Sequence, residues 1–97
     1  MYASLRTYRN VERPEEVARR LEAGLVPLLR ALPGFQGCYL FRAEERTTAV
    51  SLFATREGAA ASLEAAAAWA REGLANLGGA ELVAAETGKV LAAVPDA

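Results

Sequence analysis

Histidine is missing from this chain, and cysteine occurs once, at Cys38. Without imidazole there is no histidine-ligated metal site, and no histidine to activate a nucleophile or shuttle protons near neutral pH. A single thiol forms no internal disulfide, which fits a reducing compartment. Cys38 also has no cationic residue at the adjacent positions to lower its pKa, so it is a poor nucleophile. Lysine is nearly absent too: Lys89 stands alone among eleven basic residues. Asparagine, glutamine and methionine are scarce. That bias fits a thermophilic source, and the excess of arginine and alanine fits a GC-rich genome equally well.

Other absences exclude whole classes of partner. Net charge is -1 with no block of one sign, so nothing in the sequence attracts nucleic acid or an anionic membrane. No apolar run approaches the roughly 20 residues that cross a bilayer. The amino-terminal residues lack the basic start and apolar core of a secretory signal, so a cytoplasmic protein is expected. Clustered metal ligands and phosphate-binding glycine patterns are also missing, and no cofactor is expected.

What remains is a globular composition, 53% hydrophobic and 24% charged over 97 residues. That length predicts one domain, 1–97, with a modest core that an oligomer would enlarge. Tyr2 to Arg9 alternates as a strand covered differently on its two faces. Pro14 in a first turn, followed by Glu15 and Glu16 at the positive end of the dipole, opens a helix reaching about Leu32. Val17, Leu21, Leu25, Leu28 and Leu32 form its apolar stripe. Pro27 lacks an N–H and crowds the carbonyl of Ala23, which predicts a bend.

The run Leu32-Pro33-Gly34-Phe35-Gln36-Gly37 ends that helix, turns and starts a strand. Gly37 to Ala43 and Thr47 to Thr55 then read as a hairpin around the solvated run Glu44-Glu45-Arg46. Thr55 caps a second helix, with Glu57 in its first turn and Gly78-Gly79 at its end. Ala59, Leu63, Ala66, Ala70, Leu74 and Leu77 recur along it at helical spacing, and its alanine content favours helix. Glu81 to Val94 is extended, with Gly88 marking a bulge.

Strand, helix, hairpin, helix and strand make a ferredoxin-like α+β fold, βαββαβ, with two helices on one face of a four-stranded antiparallel sheet. Strands two and three are apolar on both faces. Tyr39 and Phe41 alternate with Cys38 and Leu40, and Val50 and Leu52 with Ala49 and Phe53. A sheet with one solvated face shows cleaner alternation. Pairing two open faces would cover these residues and give a twofold homodimer; a monomer with aromatics straddling its sheet edge is the other reading.

The chain resembles the dimeric α/β barrel superfamily, in particular domains like the antibiotic biosynthesis monooxygenases. The resemblance rests on the helix ending in Leu32-Pro33-Gly34-Phe35, on Gly37-Cys38-Tyr39-Leu40-Phe41, and on Val50-Ser51-Leu52-Phe53 leading into a helix that bears Trp69. It implies a dimeric barrel, and it spans activities as different as haem breakdown and oxidation of small aromatics. The haem-degrading members use a helix histidine, which this chain lacks. The cofactor-free monooxygenases are thought to use a pocket tryptophan and an asparagine. Trp69 matches the first; Asn10 and Asn76 are the asparagines available for the second.

Four residues are candidates for a ligand site. Trp69 lies beside the leucine stripe with Ser62, Ala65, Ala66 and Gly73 as small neighbours, so it lines a pocket or packs over a sheet edge. Arg6 and Tyr8 share a strand face with Ser4, where guanidinium and phenol converge on an anionic or phenolic ligand or else serve an interface. Tyr39 reaches a cavity ligand or packs structurally. Two functions follow: a homodimer binding a small organic molecule, such as an aromatic one, between sheet and helices, or a cofactor-independent monooxygenase acting on a phenolic or polycyclic aromatic substrate.

Overall fold

The computed structural model describes residues 1–77 and 80–94. Its elements are β1 (Tyr2–Arg9), α1 (Pro14–Arg20), one turn of π-helix (Leu21–Leu25), α2 (Val26–Arg30), β2 (Phe35–Ala43), β3 (Arg46–Phe53), α3 (Arg56–Gly73) and β4 (Glu81–Lys89). All neighbouring strands are antiparallel, in the order β2-β3-β1-β4. With the three consecutive helical pieces taken together, this is the ferredoxin-like βαββαβ arrangement. Among the described residues, no helix is long and apolar enough to cross a membrane.

Proline 27 acts through a widened turn. The N–H of Val26 bonds to the carbonyl of Leu21, five residues back, and the α-helix resumes at Val26 with Pro27 in its first turn. A proline is tolerated there because it has no amide hydrogen to lose. The wider turn also changes which leucines are buried. Val17, Leu21, Leu25 and Leu29 face the core at a constant spacing of four, whereas Leu28, placed on the stripe by a 3.6-residue period, is 48% exposed.

Several expected boundaries move. The first helix ends at Arg30, two residues before Leu32. β2 begins at Phe35, with an irregularity between Phe35 and Gly37, and Ala43 pairs Arg46 across the two-residue turn Glu44-Glu45. The bulge expected at Gly88 lies elsewhere: Gly88 pairs regularly with Ala3, and β4 slips register opposite Thr7 and Tyr8. β4 stops at Lys89 rather than Val94. The expected stop at Gly78-Gly79 lies outside the described residues, but α3 already ends at Gly73, before them.

One sheet face packs on the helices. Ser4 and Arg6 of β1, with Thr47, Ala49, Ser51 and Phe53 of β3, are buried there. Phe53 meets Leu21, Leu25, Leu29, Ala59 and Ala66, and Phe35 packs edge-on to its ring at 5.6 Å. A second cluster of Val11, Val17 and Leu77 closes the other end. α3 buries small residues, Gly58, Ala59, Ser62 and Ala66, and so approaches β1 closely enough for Ser62 and Ser4 to share a 2.7 Å hydrogen bond. On the opposite face, paired β1, β2 and β3 carry Leu5, Val50 and Tyr39 in one row, with Tyr39 63% and neighbouring Phe41 51% exposed.

Gly58 shows how tight the helix entry is. Its N–H donates to Thr55 Oγ1 at 3.0 Å, and a β-carbon on it would stand 2.9 Å from both Phe53 Cδ1 and the carbonyl of Pro33. Alanine ordinarily favours a helix over glycine by about 1 kcal/mol. Here Gly58→Ala is expected to destabilise by about 1–3 kcal/mol, because backbone and a core ring must shift. Urea denaturation measures this, and unchanged stability would mean that the helix entry is slack.

Candidate functional site

β1 presents Ser4, Arg6 and Tyr8 to the helices, as the sequence predicts from their shared face. Arg6 is 5% exposed and lines a cavity of about 20 Å³ together with Tyr8, Leu40, Ala49, Leu74 and Trp69. That volume holds about one water. Arg6 Nη1 donates to the Tyr8 hydroxyl at 3.1 Å, and the guanidinium carbon lies 5.9 Å from the Tyr8 ring centroid. Its Nη2 is buried without a hydrogen-bond partner among the described residues. No ion pair among the described residues includes Arg6. The cavity wall thus carries a guanidinium that Tyr8 partners through Nη1 and its ring, with no carboxylate paired to it among the described residues.

Trp69 reaches the same cavity from α3. It is half-buried and packs against the Phe53 cluster. Trp69 also borders an open groove formed with Leu28, Leu32, Ala65 and Gly73, so this residue lines both the buried cavity and the surface groove. Two glycines fit around it. A β-carbon on Gly24, inside the π-turn, would lie 2.5 Å from Trp69 Nε1, and one on Gly73 would lie 2.6 Å from its Cζ2. Gly73 is among the small neighbours read from the sequence. Gly24 is not, since it lies on a different helix and no periodicity connects it to Trp69.

Arg20 fixes this corner. Its Nη1 donates to the carbonyls of Gly73 at 3.2 Å and Ala75 at 3.0 Å, tying α1 to the carbonyl end of α3, where a cation is favoured. Its Nε bonds Glu16 at 3.0 Å, and Arg19 pairs with the same carboxylate. The hydrogen bond from Arg20 is the main reason the Glu16 carboxyl titrates below its ordinary range. A carboxyl depressed on folding contributes stability above its unfolded pKa and loses it as pH falls through the folded value. This cap of α3 therefore weakens only in acid.

The other candidates lie apart. Tyr39 is on the open face and does not line the cavity. Asn10 and Asn76 are exposed, hold left-handed backbone with φ of 60° and 73°, and also stand outside the cavity lining. Asparagine tolerates that conformation, and Asn76 lies in the turn after α3 while Asn10 follows the end of β1. Cys38 packs against the core, with Ser51 Oγ 3.5 Å from its sulfur. Among the described residues, no three histidine, cysteine or carboxylate side chains are grouped to hold a metal.

No protein-family model matches the sequence, and no curated protein is significantly similar to it. Solved structures are similar in fold. MupZ from Pseudomonas fluorescens is 16% identical with a TM-score of 0.65, over 89% of this chain and 65% of that longer one. A dimeric ferredoxin-like protein from an uncultured marine organism is 14% identical with a TM-score of 0.64, covering 98% of each chain. A monooxygenase from the gene ActVA-Orf6 of Streptomyces coelicolor, in complex with the ligand nanaomycin D, is 17% identical with a TM-score of 0.62, over 99% of this chain and 92% of that one. At such identities the likeness is one of fold, the ferredoxin-like fold.

Because both glycines leave room for the indole, Gly24→Ala and Gly73→Ala are each expected to displace Trp69. The emission of this single tryptophan should shift to longer wavelength while far-ultraviolet circular dichroism stays unchanged. An unshifted spectrum in both variants would mean that the indole does not rest on the two backbones.

Proposed function

We propose that this protein is a homodimer that binds a small organic molecule between its sheet and helices, with Arg6, Tyr8 and Trp69 as the groups that select it. One observation carries the reading: the guanidinium of Arg6 is buried in a mostly apolar cavity, and its Nη2 has no hydrogen-bond partner among the described residues. Structural side chains bury charge with a partner, whereas binding sites leave polar groups to be completed by the ligand. A pre-placed cation beside a phenol and an indole suits a ligand with a flat body and one polar end. Tyr39 belongs in this reading to the subunit contact rather than to the pocket.

The homodimer is supported by the open sheet face. Tyr39, Phe41, Leu5, Val50 and Leu52 leave an apolar surface that a second copy would cover isologously, and the marine protein of the same fold is a dimer. The half-buried thiol of Cys38 accords with a cytoplasmic location.

Cofactor-independent oxidation of an electron-rich aromatic is the second reading. It is favoured by the position of Trp69 on the cavity and by the fold shared with the Streptomyces monooxygenase. The protein would then stabilise a phenolate at Arg6, and the reduced substrate itself would pass an electron to oxygen.

Mass spectrometry of the native protein is expected to give a dimer carrying a small retained molecule. Tyr39→Arg with Phe41→Arg should yield folded monomers, and a wild-type monomer at micromolar concentration would rule out the paired sheet. Oxygen consumption with a panel of dihydroxyaromatics separates the two functions. Turnover that survives removal of metals and flavin and falls at least tenfold in Trp69→Phe makes it a monooxygenase, while heat protection by a panel member without turnover makes it a binding protein.

A further inference from the structure

We infer that the ligand of this cavity is a small organic monoanion, a carboxylate or phenolate, whose oxygen accepts from Nη2 of Arg6, the donor without a partner among the described residues. The inference rests on the binding reading above and adds the charge and size of what is bound. A water molecule would fit the 20 Å³ and accept from Nη2, but it would leave the positive charge buried among Leu40, Ala49, Leu74 and Trp69. An anion completes both the hydrogen bond and the charge.

The number of donors limits the ligand further. The Tyr8 hydroxyl accepts from Arg6 Nη1 and has no acceptor for its own proton among the described residues. Arg6 Nη2 and the Tyr8 O–H are thus two donors side by side, which suits the two oxygens of one carboxylate or the single oxygen of a phenolate. A dianion is disfavoured. Arg6 is the cation on this cavity wall, so a second negative charge would itself be buried unpaired.

Size then assigns Trp69 its part. Even a benzoate ring exceeds the cavity, and Trp69 is the residue that lines both the cavity and the groove. The ligand's apolar body enters where the indole now lies, and the ring turns toward the groove. Binding is therefore reported by the single tryptophan of the chain.

Titration with acetate and benzoate, each against its neutral amide at equal ionic strength, tests this through Trp69 emission and thermal stability. Benzoate is expected to bind at least about tenfold more tightly than benzamide, as a charge-assisted pair at a buried guanidinium does. Arg6→Met should lose benzoate binding while melting at or above the wild-type temperature, because an unpaired buried charge is replaced by an apolar side chain of similar length. Tyr8→Phe keeps the ring over the guanidinium and should weaken benzoate roughly threefold to tenfold. If Arg6→Met does not fold, Tyr8→Phe and the amide comparison decide the question. Equal binding of benzoate and benzamide overturns the anion inference and leaves the binding reading standing. Benzoate binding that persists in Arg6→Met also overturns it. An absence of binding by all four probes overturns both.

Discussion

A sheet strand has two faces, and β3 buries Phe53 among small side chains on one of them while carrying apolar side chains on the other. Phe53 is fully buried under the helices, and Val50 and Leu52 project from the opposite side. The chain supplies helices for one face. Everything else in the architecture follows from how that face is covered: small residues on α3 so that it can lie close to β1, leucines at a spacing of four on the first helical segment, and a glycine where α3 starts against Phe53 and Pro33. The larger the side chains delivered from the helices, the smaller those that the sheet can offer beneath them. Ser4, Ser51 and Ala49 lie there for that reason.

Proline 27 and Trp69 belong to one solution. A straight α-helix through Pro27 would press the ring against the carbonyl of Ala23. The π-turn relieves this and places Gly24 where the indole of Trp69 needs space. A local backbone irregularity thus shapes a cavity wall contributed by a different helix, in keeping with the frequency of π-turns at functional positions. Arg20 then holds the two helices together at that corner by taking up the last carbonyls of α3.

The fold was legible in the sequence because its signals are local. Alternation in Tyr2 to Arg9, the Leu32-Pro33-Gly34-Phe35 stop and the Thr55 cap each act within a few residues and agree with one another. Boundaries were less legible. A 3.6-residue period put Leu28 in the core, and the pairing slip in β4 has no mark in its composition. Of the cavity lining, Arg6 and Tyr8 are legible because they alternate on one strand, and Trp69 because small residues surround it on its own helix. Gly24 and Arg20 are not legible, since each acts on a partner about fifty residues away in the chain. Tyr39 was read with the pocket because an aromatic in a two-faced strand carries no sign of which face it takes.

The free edges of the sheet have a consequence for how copies of this chain can meet. Edge strand β4 carries Glu81, Glu86 and Lys89, all exposed, with Glu81 paired to Arg9 of β1, and edge strand β2 carries exposed Arg42. Charged edges discourage strand addition from a neighbour. Association is thereby directed away from edge-to-edge growth, which can repeat without limit, and toward the apolar face, where one partner exhausts the surface. Replacing the edge charges with apolar β-branched residues would open the route to filaments.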